Sequence, residues 1–172
     1  MGSLDDLKIL DFSTLLPGPY ATLMLADMGA EVLKISSASR PDIVLDYPPF
    51  IGDTGVSASQ AWLGRNKKTM FLNLKTGEGK AVVKELVKEY DIVLEQFRPG
   101  VMEKLGLGYE DLKAVNPKLM LWSMVRSVLG SMPCFFKIYS NTIWGIPPAL
   151  PPKTFFPFRS SHLKSGWAVL PT

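Results

Sequence analysis

The sequence predicts an α/β fold built on an open parallel sheet with flanking helices. Two observations carry that prediction. Short apolar runs of strand length alternate with stretches whose apolar residues recur at helical spacing, and the joints between them are rich in Pro, Gly, Ser and Asp. Strands separated by helices of that length call for right-handed parallel crossovers, which cover both faces of the sheet. In such sheets ligands collect beyond the carboxyl ends of the strands. The loops at 13–19, 36–64 and 95–100 are therefore where a binding site is expected.

Taken in order, residues 8–12 give a first strand that stops at Ser13 and Thr14. Pro17, Gly18 and Pro19 then break the chain before a helix over 20–28, and Gly29 stands where a left-handed cap closes a helix. Residues 31–35 make a second strand. Residues 36–64 show no period, and a loop of that length in a compact domain is usually functional. A third strand is expected at 69–74. An amphipathic helix follows over 77–90, with Val82, Val83, Leu86 and Val87 on one face and Lys80, Lys84, Glu85 and Lys88 on the other. Residues 91–95 form another strand, 101–105 and 109–115 short helices, and 118–122 one more strand.

The 172 residues are 47% hydrophobic and 20% charged, with a formal net charge of +3. That is the balance of a globular domain, with no nucleic-acid or membrane partner expected. No run reaches the roughly 18 to 20 apolar residues of a membrane helix, and the first residues lack a leader pattern. One cysteine, Cys134, and one histidine, His162, leave no disulfide and little for a zinc site. A cytoplasmic protein without metal is the expectation. The charge is unevenly spread: all 16 acidic residues and 14 of the 19 basic ones lie in residues 1–123, whereas 124–172 hold seven of the 14 prolines. Two regions follow, a body at 1–123 and a tail at 124–172.

The cations Arg65, Lys67 and Lys68 end the long loop and enter a strand, Lys75 follows that strand, and Arg98 precedes Pro99 and Gly100. They suit phosphate oxygens, and a short helix opening after Arg98 would add free backbone N–H groups beside it and Lys104. The rival account is a solvated basic loop and an ordinary surface lysine. The glycines fit neither G-x-x-x-x-G-K-[ST] nor G-x-G-x-x-G, which disfavours the common nucleotide-loop enzymes. Asp11, Asp27, Asp91 and Glu95 sit at element ends where capping accounts for them, so no general base is named.

Six blocks in one order carry a family resemblance: LKILDF at 7–12, PGPYAT at 17–22, LADMGAEV at 25–32, RNKKT at 65–69, FRPGV at 97–101 and KLGLGY at 104–109. Over residues 4–123 the chain resembles the class III CoA-transferases, the CaiB/BaiF family that includes formyl-CoA and carnitine CoA-transferases. The resemblance implies an enzyme that moves CoA between an acyl-CoA and a carboxylic acid or, as in the related α-methylacyl-CoA racemases, inverts a centre beside the thioester. It also implies an interlocked homodimer and a Rossmann-like large domain that binds CoA. By position, Leu16 falls where the formyl-CoA branch carries glutamine. Leu72, Asn73, Leu74 and Lys75, with Gln96, Phe97 and Arg98, match CoA-contacting stretches, and Lys104 matches a basic CoA contact. Ser37 stands where relatives often have arginine. Arg65 and Lys67 complete the candidate CoA-binding set.

The family's Gly-x-Gly-x-x-Gly-Pro segment and the aspartate that attacks the acyl-CoA, or the His and Asp pair of the racemases, are missing after Trp122. No acidic residue in 124–172 could form an acyl anhydride, and His162 has no family motif around it. The expectation is a truncated, inactive member with no catalytic residue, or a non-catalytic CoA-binding or interaction fragment. Lacking its returning strands, such a piece is also open to poor folding. The tail is expected to be irregular, from a frameshift, an alternative exon or a sequence error after Ser123, with a Pro-rich interaction segment as the rival.

Overall fold

The computed structural model describes residues 2–37, 39–40, 42–126 and 134–139, with the backbone alone at 125–126 and 134–139. The expected strands are β1 (Lys8–Asp11), β2 (Glu31–Ser36), β3 (Lys67–Phe71), β4 (Ile92–Glu95) and β5 (Met120–Arg126). Between them run α1 (Pro17–Asp27), α2 (Ala58–Leu63), α3 (Gly77–Val87), α4 (Val101–Lys104) and α5 (Tyr109–Val115). A further strand, β6 (Cys134–Tyr139), follows. The sheet order is β3-β2-β1-β4-β5-β6, with every pair parallel except β5 with β6.

The chain folds this way because β1, β2 and β4 carry apolar residues for both faces of the sheet. Leu10, Phe12, Leu33, Ile35, Val93 and Leu121 point to one face, where Val83 and Val87 of α3, Met102 of α4 and Leu112 of α5 close over them. Ile9 and Val32 point to the other face, against Ala26 of α1 and Ala30. Each large side chain removed from water here stabilises the fold by about 1.5–3 kcal/mol. Pro17 opens α1, where its missing N–H has no helical acceptor to lose. Gly29, at φ +108°, closes the helix in the left-handed region expected of it.

Four expectations are corrected. The third strand ends at Phe71 rather than at 74, because Asn73 and Thr76 fold 72–76 into a turn: Asn73 Oδ1 accepts the Lys75 N–H at 3.1 Å, and Thr76 Oγ1 accepts the Gly79 N–H at 3.1 Å. The long loop is not wholly irregular, since Ser57 Oγ accepts the Gln60 N–H at 2.9 Å and so caps α2. The last parallel strand runs to Arg126, through the expected boundary at 123. Six residues of the supposedly irregular tail form β6, which pairs antiparallel with β5 from Leu121↔Tyr139 to Arg126↔Cys134. Phe, Ile and Tyr favour strands, and the edge of β5 offers unpaired backbone groups. His162 and the proline-rich runs of the tail lie outside the described residues.

Candidate functional site

The strand order reverses between β1 and β4: β1 is followed outward by β2 on one side, β4 by β5 on the other. In open sheets of this kind ligands collect at such a switch point, beyond the carboxyl ends of β1 and β4. On the β1 side, the first turn of α1 approaches so closely that a Cβ on Gly18 would overlap Ser13 and come within 3.1 Å of Gln96 Oε1. Gln96 Oε1 is buried there with no hydrogen-bond partner among the described residues. On the β4 side, Glu95 is 5% exposed and accepts the Phe97 N–H at 2.7 Å, which fixes the turn 95–97. Burial pushes the Glu95 carboxyl upward, against hydrogen bonds from Ser123 and the Phe97 amide.

Beneath the β1 loop lies a layer of buried charge. Asp11 is fully buried; it accepts the Ser13 N–H at 2.8 Å and the Thr22 hydroxyl at 2.6 Å, together with a short bond from the Ser13 hydroxyl. Lys67 reaches across from β3 with its side chain 1% exposed, donates to Pro19 O at 2.6 Å and Thr22 Oγ1 at 2.8 Å, and stands 3.9 Å from Asp11. Burial pulls its ammonium down to about 8, with Asp11 acting in the opposite sense. Lys34 of β2 donates to Ser13 O at 2.7 Å and lies 3.9 Å from Asp42.

The sequence-predicted site residues divide into two groups. Leu72, Leu74 and Phe97 pack on the same core cluster, so the turns after β3 and β4 share one base. Asn73, Lys75, Arg98 and Lys104 are exposed on these segments, and the three cations form no ion pair among the described residues. Leu16, half exposed, ends the β1 loop at the start of α1. The second group is engaged elsewhere. Arg65 precedes β3 and is paired with Asp27 at the last turn of α1; its guanidinium holds that carboxyl below the ordinary range. Lys67 is buried as described, and Lys68 pairs with Glu31 at 3.3 Å. Ser37 lines a cavity of about 390 Å³ between β2, β3 and α2, together with Lys34, Asp42, Gln60 and Thr69.

Gly79 ties this edge to α3. A Cβ there would overlap Asn73 O, with Asn73 C at 2.9 Å. Gly79→Ala is therefore expected to cost about 1–3 kcal/mol and to displace the 73–75 turn. A thermal melt checks it: a midpoint within one degree of the parent, on the order of measurement error, would contradict the close approach.

A mostly parallel sheet with helices on both faces and a switch point between β1 and β4 defines an open, doubly wound α/β domain. Residues 4–125 match the model of CoA-transferase family III, and the chain belongs to that family. The succinyl-CoA:mesaconate CoA-transferase of Haloarcula marismortui is 42% identical over 131 residues, covering 73% of this chain and 32% of that protein. The human succinyl-CoA:glutarate CoA-transferase is 37% identical over 122 residues, 70% of this chain and 27% of that one. Among solved structures, a CaiB/BaiF family protein from Brucella suis superposes with a TM-score of 0.66 at 37% identity, covering 71% of this chain and 33% of that one. The chain spans about a third of the length of the curated relatives it matches. Among the described residues no helix is long and apolar enough to cross a membrane.

Proposed function

We propose that residues 4–125 form the CoA-binding face of a family III CoA-transferase, which holds an acyl-CoA thioester for transfer of CoA to a carboxylic acid. The observation that carries this reading is the set of three exposed cations, Lys75, Arg98 and Lys104, which form no ion pair among the described residues and lie on the segments that follow β3 and β4 at the carboxyl edge. Phosphate oxygens need charge-assisted donors of this kind. Leu72, Asn73, Leu74, Gln96 and Phe97 are assigned to the same CoA site, with Leu16 at its border. Arg65 and Lys67 are assigned to holding α1, since their donors are already engaged. The names of the relatives, succinyl-CoA:mesaconate and succinyl-CoA:glutarate CoA-transferase among them, support transfer over racemisation.

Calorimetric titration with CoA and with desulfo-CoA tests the reading. Saturable binding is expected, weakened about 10- to 100-fold by Arg98→Ala and by Lys75→Ala, the range for one charge-assisted hydrogen bond of about 1.5–3 kcal/mol. A chain that melts cooperatively yet gives no heat with either ligand would overturn it.

A further inference from the structure

The β1 loop is held by side chains from outside itself. Lys34 Nζ, rooted in β2, donates to Ser13 O at 2.7 Å. Asp42 Oδ2, from the segment after β2, accepts the Leu15 N–H at 2.9 Å. Lys67 Nζ, from β3, takes Pro19 O at 2.6 Å. Leu15 has φ +63°, a left-handed conformation that a side chain such as leucine rarely adopts, so its backbone needs an outside partner to stay there. Lys34 and Asp42 are each about 5% exposed and 3.9 Å apart. Asp42 Oδ1 also accepts the Val44 N–H at 3.2 Å, which fixes the carboxylate on its own segment. Leu15 and Leu16, which this frame supports, are 39% and 50% exposed.

We propose that Lys34 and Asp42 are positioning residues that lock the 13–16 loop into one shape at the carboxyl end of β1, by holding the Ser13 carbonyl and the Leu15 amide from two different segments. Neither side chain reaches the cations that hold the ligand. Their effect on affinity passes through the loop, because a loop already in its bound shape loses less freedom when the ligand arrives. The effect on CoA rests on the reading of the site given above; the locking itself does not.

Two variants of Asp42 separate positioning from general stability. Asp42→Asn keeps an oxygen that can accept the Leu15 N–H, whereas Asp42→Ala removes it. Hydrogen exchange at the Leu15 amide is expected to quicken at least about tenfold in Asp42→Ala and to stay within about threefold of the parent in Asp42→Asn. CoA affinity should follow the same order. Asp42→Ala leaves the Lys34 charge buried without its partner, so Lys34→Met/Asp42→Ala, which buries no charge at this pair, provides a form expected to melt cooperatively. If that double variant folds and protects Leu15 as the parent does, or binds CoA as tightly as the parent, the proposal falls. A folded parent that binds no CoA retires the CoA reading, and the exchange rates then decide the locking alone.

Discussion

Asp11→Ala is expected to lower the unfolding free energy by about 3–5 kcal/mol, the range for removing one partner of a buried, hydrogen-bonded charge pair. Asp11 is 0% exposed and serves four groups at once: the Ser13 amide and hydroxyl, the Thr22 hydroxyl and, at 3.9 Å, the Lys67 ammonium. Alanine would leave three donors without their acceptor and a buried ammonium without its nearest carboxylate. The measurement is the urea midpoint, which should fall sharply with little change in slope. Asp27→Ala makes the control. Its partner Arg65 is half exposed, so water can replace the lost contact and the midpoint should move far less. Equal shifts in the two variants would mean that the charge layer under α1 is not the keystone its burial suggests.

The second large effect is a gain of stability on going from pH 8 to pH 10. Lys67 loses its proton at about 8 in the folded protein, against 10.5 in an unperturbed lysine. Between these values the unfolded chain binds more protons than the folded one, so raising the pH favours the folded state. The gain should be on the order of 2 kcal/mol by pH 10, at about 1.4 kcal/mol per pH unit once the folded group has released its proton. The groups acting on Lys67 are Asp11 on β1, which favours its charge, Lys34 on β2, which opposes it, and Asp27 at the end of α1. Tyr90 works in the other direction but later. Burial, with Glu31 beside it, pushes its hydroxyl up to about 12, so its contribution is intact up to pH 10 and is lost only as the pH climbs toward 12. Denaturation at pH 8, 9 and 10 gives the slope, and Lys67→Met should abolish it. A parent that weakens over this interval contradicts the burial of the ammonium.

The sheet was legible because its strands are written as apolar runs, and the loops after them could be found before any coordinates. The turn at 95–98 was legible for the same reason, whereas the turn at 72–76 was read as the end of a strand because Leu72 and Leu74 continue the apolar pattern. The charge layer was not. Lys34 sits between Leu33 and Ile35 in the buried middle of its strand, and that position was the available signal: a lysine there must find partners, which turned out to be Ser13 O, 21 residues away, and Asp42. Asp42 lies in a stretch without period, and its bond to Leu15 spans 27 residues, a separation no local pattern records. Arg65, Lys67 and Lys68 looked like one basic run because sequence spacing does not show that their three heads meet Asp27, Asp11 and Glu31 separately. α2 escaped because its six residues hold fewer than two helical turns.

The ladder between β5 and β6 bears on how the domain should be trimmed for laboratory work. Composition invites a cut after Ser123, but β5 continues to Arg126 and its outer side is bonded to Cys134–Tyr139. A shortened version ending at 123 would shed that neighbour, lose the last three residues of β5, and present the unpaired edge from Leu121 onward to any other copy in solution. The natural place for the scissors is beyond Tyr139.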